Sequence, residues 1–507
     1  MTRFYIENFG CRATQADGAA LERQFVERGL ERAGAARDAE IVVLNTCTVT
    51  DGADKDARAS IRRLQRVNPE CRIMVTGCYA QRAPEELAAL PGVTWVVGNS
   101  HKHAAAEIAT SSSTSFFSSV ASSSTYAFIP LKELSGDQTA NVIVGDIFAH
   151  TELLAAPVFE AGNERTRPNL KVQDGCDNRC SFCVIPYVRG QSRSLSMDRV
   201  IAEVRTLVRA GYREVVISGI NLGRWGRDLK EVVAQESLVI GEQRALASPI
   251  VESHQAISDP ERPTTSDRRL ESLIRAILDQ TSLEKLRISS VEPMDWSDEL
   301  IELVAASGRI AKHAHVPLQS GSDAVLRRMH RKYRPWHYRE KILKIRNAMP
   351  TAAIGADVMV GFPGETELEF EETRRMIEEL PFTYLHVFTY SPRPGTPAAA
   401  LPGQVPVAVA RERNHALREL ASRKKASFMG SMVGTAVQAI TLQTIGADFT
   451  EALTDNYLKI KIPGRYEANR WMKLSVEMVV GEVLRGKSVT AASAEHRSYG
   501  ELDMRAP

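Results

Sequence analysis

Three cysteines fall within one short run, Gly175-Cys176-Asp177-Asn178-Arg179-Cys180-Ser181-Phe182-Cys183, in the pattern C-x3-C-x2-C. Each loop between them is two or three residues long, so the thiolates can wrap around a single cubane iron–sulfur centre. A [4Fe–4S] cube takes four thiolates when the protein supplies every ligand. This run supplies three, and no fourth cysteine stands nearby, so one iron is left free to bind something else. Structural zinc is the competing reading, since C-x2-C is half of many zinc sites. Zinc needs a fourth ligand, and the nearest histidine in the chain is His150.

The longer string from Gln173-Asp174-Gly175-Cys176 through Phe182-Cys183-Val184-Ile185-Pro186-Tyr187-Val188-Arg189-Gly190 resembles the radical S-adenosylmethionine methylthiotransferases. The resemblance implies that the open iron chelates the amino and carboxylate groups of S-adenosyl-L-methionine. It also implies an activity: insertion of sulfur and a methyl group into a C–H bond of tRNA or of a ribosomal protein. Outside two inserts, most of the chain aligns with that family.

A chain of 507 residues predicts two to four domains. With 43% hydrophobic and 25% charged residues, it has the composition of a globular protein with ample core. A net charge of +2 argues neither for nor against nucleic acid. No run of 18 apolar residues exists, so no membrane span is expected. The first residues, Met1-Thr2-Arg3-Phe4-Tyr5-Ile6, enter a strand-like run without a signal-peptide core. The expected compartment is the reducing cytoplasm, where cysteines in a large chain serve metals or catalysis rather than disulfides.

The first hundred residues alternate strand-like pieces (Phe4–Phe9, Ile41–Asn45, Ile73–Thr76) with helix-like ones (Ala19–Arg28, Lys55–Arg66, Pro84–Leu90). That rhythm predicts βαβαβ, an open parallel sheet whose ligands bind beyond the strands' carboxyl ends. A cysteine follows each strand: Cys11, Cys47 and Cys78. Buried free thiols are common, but they belong inside apolar runs, whereas these three sit just past the runs beside Gly, Asn and Thr. Cys71 lies before its strand and reads as a plain buried thiol. The resemblance implies that Cys11, Cys47 and Cys78 hold an auxiliary [4Fe–4S] cluster.

Ser111 to Thr125 is a serine-rich linker, and Val142–Ile147 restores a strand-like run. From residue 169 onward, six strand candidates alternate with helical patterns: Leu170–Gln173, Glu214–Ser218, Lys285–Ser289, His313–Pro317, Ala356–Val360 and Tyr384–Tyr390. Six βα units predict a parallel barrel, complete or partial, with reactive groups on the loops after strands. Polar or glycine-rich strings at several strand ends supply Ser218, Gly219, Asn221, Glu292 and Gln319. Glycines there also serve as ordinary turn residues; the resemblance implies that these five surround S-adenosylmethionine and the target base. Residues 230–268 break the βα rhythm and read as a second insert.

Arg327 to Arg346 carries nine Lys or Arg and one acid, with Tyr333, Trp336 and Tyr338 interleaved. Such a stretch suits phosphates and splayed bases as well as it suits a solvated helix face. Beyond Arg423 the chain turns to short β-like runs, Thr435–Gln443, Ala447–Leu453, Tyr457–Ile462 and Val476–Arg485, which predict a small OB-like barrel. By position and size it resembles the TRAM domain. The expected division is therefore 1–108, an N-terminal methylthiotransferase domain; 109–161, linker and connecting segment; 162–422, a radical S-adenosylmethionine barrel with its insert; 423–488, a tRNA-binding TRAM domain; and 489–507, a tail. The fold class is α/β: an open parallel sheet, a partial TIM-like barrel and a small antiparallel β-barrel.

An adenine C2–H is not acidic enough for a side-chain base of near-neutral pKa, so no residue is expected to act as catalytic acid or base. The resemblance implies a 5′-deoxyadenosyl radical generated at the Cys176/Cys180/Cys183 cluster, with electrons from an external low-potential donor. A second S-adenosylmethionine gives the methyl group, and the auxiliary cluster carries the sulfur. Within the family, the strings around Cys47 and Cys78 and Ser391-Pro392-Arg393-Pro394-Gly395-Thr396 resemble the branch acting on N6-threonylcarbamoyladenosine at position 37 of the tRNA anticodon loop. The isopentenyladenosine branch is the runner-up, followed by the ribosomal-protein branch. A non-catalytic Fe–S or zinc RNA-binding protein is the rival from another class. Relatives usually carry Asn where this chain has Thr14.

Overall fold

The computed structural model describes residues 1–111, 140–149, 153, 167–229, 269–442 and 448–489. Nearly all of the serine-rich linker, the insert at 230–268 and the tail from 490 onward lie outside the described residues. Among those described, no helix is long and apolar enough to cross a membrane.

The N-terminal region is an all-parallel sheet in the order β2-β1-β3-β4-β5-β6, formed by β1 (Arg3–Asn8), β2 (Glu31–Arg32), β3 (Ile41–Thr46), β4 (Arg72–Gly77), β5 (Val93–Gly98) and β6 (Asn141–Ile143). β3 is buried along its whole length, which is why its sequence is a continuous apolar run rather than an alternating one. One face packs Val42, Leu44, Ile61 and Val75; the other packs Phe4, Leu21, Phe25, Met74 and Trp95. Three strands were expected in the first hundred residues and a fourth run at Val142–Ile147, which supplies β6; β2 and β5 are additional. β2 is too short to carry a period, and β6 reaches the sheet from beyond the serine-rich linker.

Helix α1 spans Arg12–Glu27 rather than starting at Ala19. Gly18 reads as an interruption, yet its role is clearance: a Cβ there would lie 1.9 Å from Asn8 Oδ1. Helix α2, Asp51–Val67, begins four residues before the expected Lys55, because Thr50 Oγ1 accepts the Ala53 N–H at 3.2 Å and Asp51 and Asp54 complement the helix dipole.

The six central strands appear where the period placed them: β7 (Asn169–Asp174), β9 (Glu214–Gly219), β10 (Lys285–Ile288), β11 (His313–His315), β12 (Ala353–Val360) and β13 (Tyr384–Thr389). They run parallel, and the β10–β11 junction is closed by bridges Leu286–Ile310 and Ser290–His315. A short β8 (Arg193–Ser194) pairs antiparallel with β7 at the open edge. The result is a partial barrel.

Five strands form the closed C-terminal barrel: β14 (Ala436–Thr441), β15 (Phe449–Thr454), β16 (Lys459–Pro463), β17 (Trp471–Val480) and β18 (Val483–Ser488). Val476–Arg485, expected as one run, is two strands turning at Gly481, whose φ of +60° suits glycine. The helix Val407–Ser431 runs unbroken through position 422 and delivers the chain to β14. This barrel docks beneath the central strands. Arg287 donates to Asp455 O at 3.0 Å, Lys285 Nζ to Gln438 Oε1 at 2.9 Å, and Asn456 Nδ2 to Thr351 O at 3.0 Å.

A buried ionic network joins the first sheet to the partial barrel. Asp17 on α1 accepts from Lys102 at 3.0 Å, Arg189 at 3.0 Å and Lys171. Asp174, at the end of β7, accepts from Lys171 at 2.7 Å and from Arg189 at 2.9 and 3.0 Å. Burial alone would raise the Asp17 pKa, but Lys102, Lys171 and Arg189 outweigh it and hold the carboxyl well below its usual range. A carboxyl depressed in the folded state stabilises above the ordinary carboxylate pKa near ~4, and that stabilisation drains away as pH falls toward the folded value. Asp17→Asn leaves buried cations short of a counter-charge and is expected to cost about 3–5 kcal/mol of unfolding free energy. Denaturant titration at neutral pH measures the loss, and the same titration repeated toward pH 3 should show a flatter acid limb in the variant.

Candidate cluster sites at the barrel mouth

Strand register brings the first three cysteines together. Asn45 pairs with Asn8 on one side and Thr76 on the other, and Thr46 with Gly77, so Cys47 and Cys78 emerge side by side one residue past the pairing. Cys11 arrives from β1 through Gly10, whose φ is +95°; a Cβ at Gly10 would stand 2.5 Å from Cys47 Cβ and 2.9 Å from its Sγ. Cys47 and Cys78 are buried and Cys11 is exposed. Cys78 packs against Val184 and Val188, which follow the other cysteine loop, so the two cysteine groups face each other. Cys71 lies in the apolar core of the first sheet, away from both.

The second group sits on the loop after β7. Gly175 (φ +72°) permits the turn, since a Cβ there would strike Gln191 O at 1.9 Å, and Cys176 N–H donates to Gly190 O at 3.1 Å to close the loop. Ser181 pins the middle by donating from N to Met329 O at 3.1 Å and from Oγ to Arg328 O at 2.7 Å.

All seven cysteines are free. Burial pushes the Cys47 thiol up to about 12, with Cys78 and Cys11 adding to the rise. Burial does the same to Cys183, also to about 12, assisted by Cys180 and Cys176. Grouped thiols that oppose one another's ionisation become thiolates together when a cationic metal centre holds them. Donors already aim at the sulfurs. Asn178 N–H lies 3.4 Å and Asn221 Nδ2 3.7 Å from Cys176 Sγ, Arg331 is 3.2 Å from Cys180 Sγ, and Asn99 Nδ2 is 3.5 Å from Cys78 Sγ. N–H···S contacts of this kind tune iron–sulfur clusters. Both donor sets therefore fit thiolate-held clusters.

Cys11, Cys176, Cys180 and Cys183 line one cavity of about 430 Å³, and so do Ser218, Gly219, Asn221, Glu292 and Gln319. Asn221 N–H donates to Gln173 Oε1 at 2.7 Å. Glu292 is paired with Arg331, and Gln319 holds a φ of +64°, an uncommon conformation for a side-chain-bearing residue. Ser218 Oγ, Asn221 Oδ1 and Ser289 Oγ are buried without a partner on this wall. Buried polar atoms left unpaired are costly, and a polar cofactor would satisfy them.

Sequence reasoning missed several residues on the same wall: His313, His315, Asp357, Tyr384, His386 and Tyr457. The signal available was polar residues at alternate positions of apolar strands, as in His313-Ala314-His315. Tyr457, from the C-terminal barrel, carried no signal; it reaches under the lumen, its ring 5.0 Å from that of His313. The basic stretch 327–346 keeps Trp336 exposed but turns its two tyrosines inward. Tyr333 and Tyr338 are buried and donate to the carbonyls of Leu318 and Val316, at 2.5 and 2.7 Å, so neither can stack on a base. Arg328, Arg331, Arg334 and Arg339 are each paired with a carboxylate. The string around Arg393 docks on the first sheet, where Arg393 donates to Thr48 Oγ1 at 2.8 Å and pairs with Asp54. Thr14 Oγ1 lies 3.5 Å from both Cys11 Sγ and Arg189.

Residues 3–98 match the uncharacterized protein family UPF0004 and residues 170–377 the radical SAM superfamily. The chain is 34% identical to the threonylcarbamoyladenosine tRNA methylthiotransferase MtaB of Bacillus subtilis, over 97% of this chain and 94% of that protein. The MtaB of Aquifex aeolicus is 32% identical over 93% and 99% of the two chains. The tRNA-2-methylthio-N(6)-dimethylallyladenosine synthase of Erythrobacter litoralis is 31% identical over 87% and 86%. In fold, the chain is similar to the radical S-adenosylmethionine methyltransferase TsrM of Kitasatospora setae, with a TM-score of 0.50 and 14% identity over 79% of this chain and 77% of that one. With two cysteine groups meeting where the first sheet faces the partial barrel, and 32–34% identity to the MtaB enzymes over nearly the whole chain, the chain belongs to the radical S-adenosylmethionine methylthiotransferases and resembles their MtaB branch.

Proposed function

We propose that this protein is a tRNA methylthiotransferase that converts N6-threonylcarbamoyladenosine at position 37 of the anticodon loop to its 2-methylthio derivative. The observation that carries this reading is the meeting of two cysteine groups from two different sheets, with Cys11 of one and Cys176, Cys180 and Cys183 of the other on a single cavity. The MtaB relatives, matched over 90% or more of this chain, favour the threonylcarbamoyl substrate over the dimethylallyl one.

In this reading Cys176, Cys180 and Cys183 would hold a [4Fe–4S] cluster completed by S-adenosylmethionine, and Cys11, Cys47 and Cys78 an auxiliary [4Fe–4S] cluster. When bound, these groups supply the hydrogen abstraction, the sulfur and the methyl group that adenine C2 requires. The chain supplies position and charge. Arg331 sits between Cys180 and Glu292, where its cation offsets the thiolates and fixes the carboxylate. Gln173 fixes Asn221 against Cys176, and Ser218, Gly219 and Gln319 complete the wall that orients the cofactor and the base. Residues 1–108 serve as the auxiliary-cluster domain, 162–422 as the catalytic barrel and 423–488 as a tRNA-binding TRAM domain. Electrons come from an external low-potential donor, and a tRNA substrate places the work in the cytoplasm.

Nucleoside mass spectrometry of tRNA from cells with and without the protein tests the substrate. Loss of only the 2-methylthio form of threonylcarbamoyladenosine is expected. Loss of the isopentenyl form instead moves the substrate, and no change in either overturns the tRNA reading in favour of a ribosomal protein. Iron analysis tests the ligands. Cys180→Ala and Cys47→Ala should each remove about half of the iron of a reconstituted enzyme that carries two four-iron clusters, whereas Cys71→Ser should keep all of it.

A further inference from the structure

Beneath the cysteine loop, the lumen carries a charged group for which cluster ligation has no use. Asp357 on β12 lies between two imidazoles, its Oδ1 3.1 Å from His386 Nδ1 and 3.3 Å from His315 Nε2. Strand pairing sets this arrangement, since Asp357 is in register with His386 and the neighbouring pair aligns Gly355 with His315 and Tyr384. Period-2 alternation turns these side chains to one face. His315 is buried, and its Nδ1 meets Ser290 Oγ at 2.5 Å. His386 is the open member, its side chain 55% exposed, and its Nε2 has no hydrogen-bond partner among the described residues. Burial alone would raise the Asp357 pKa, but His315 and His386 hold the carboxyl well below its usual range. The carboxylate is therefore an anion at neutral pH. It fixes the imidazole of His386 through Nδ1 and leaves Nε2 facing the cavity.

The two tRNA substrates of the family differ in what they bring to such a wall. A threonylcarbamoyl arm ends in a carboxylate and a hydroxyl, whereas a dimethylallyl arm is a hydrocarbon. Packing a hydrocarbon over the Asp357 carboxylate and its imidazole partner desolvates these polar groups without repayment, and sites built around hydrogen bonds reject analogues that lack the partner. We propose that His386, oriented by Asp357, is the specificity-determining residue that pairs with the carboxylate of the threonyl group on the substrate adenosine. This rests on the threonylcarbamoyl reading above and names the group that would enforce it.

The test uses the reconstituted holoenzyme with S-adenosylmethionine, a reductant and synthetic anticodon stem–loops carrying the arm as its free carboxylate or as the neutral amide. A charge-assisted contact of this kind is worth about tenfold or more in kcat/KM, so the wild type should prefer the acid over the amide by at least that factor. In His386→Gln the acid-to-amide ratio should fall close to one, chiefly through KM for the acid. Asp357→Asn, which removes the charge but keeps the shape, should move the ratio the same way. Iron content of each variant reports whether its clusters assembled. A wild type that treats acid and amide alike overturns the assignment, and so does an unchanged ratio in the variants; in both cases the methylthiotransferase reading stands. A wild type inactive on both stem–loops but active on an isopentenylated one overturns both readings at once.

Discussion

The meeting of the first sheet with the partial barrel depends on two buried carboxylates, Asp17 and Asp174, and the three cations between them, Lys102, Lys171 and Arg189. Ion pairs of this kind add little net stability, because desolvation cancels most of the attraction; removing one member is what costs. Their value here is registration. Asp174 immediately precedes the turn into Cys176, Arg189 closes the same loop, and Asp17 rides the helix that starts at Cys11. The network thus holds both cysteine groups to one frame. It also carries a surplus of one positive charge, and Arg189, held charged first by Asp174, would be further favoured by Cys78 and Cys11 as thiolates. That is the electrostatic background an anionic thiolate cluster needs.

A second consequence concerns the floor of the lumen. In a partial barrel, the lower ends of the strands would open to solvent. The C-terminal barrel covers them, held by Arg287 and Lys285 from β10, and it contributes Tyr457, whose φ of +70° is uncommon for a non-glycine residue. A domain that sequence reasoning assigns only to RNA is thus also part of the wall of the central cavity. Changes in the Asp455–Tyr457 turn therefore touch the lumen as well as the barrel that bears it.

The sequence was legible where chemistry and structure are local. The C-x3-C-x2-C loop, the cysteine after each early strand and the six central strands all follow from spacing and period within about ten residues. The expected helix starts slipped where caps and clearance, rather than apolar period, set the boundary, as at Thr50 and Gly18. The basic stretch at 327–346 looked equally suited to RNA and to a solvated face. Its tyrosines reach inward to carbonyls and several of its arginines meet acids from other elements, Arg339 reaching Glu379 across the sequence, while Trp336, Lys332 and Lys344 stay on the exposed face.

By itself the sequence determined the α/β class and the spacing of the cysteines, because each is written in short-range pattern that survives any packing. Only the tertiary structure decided which side chains meet in the lumen. His315, Asp357 and His386 come from three strands separated by whole βα units, and strand register, not local pattern, puts one carboxylate between two imidazoles. The same holds for Arg393 on Asp54 and for Tyr457 under His313. Contacts between distant segments arise from burial, register and charge satisfied at once across the whole chain, and no local stretch encodes them.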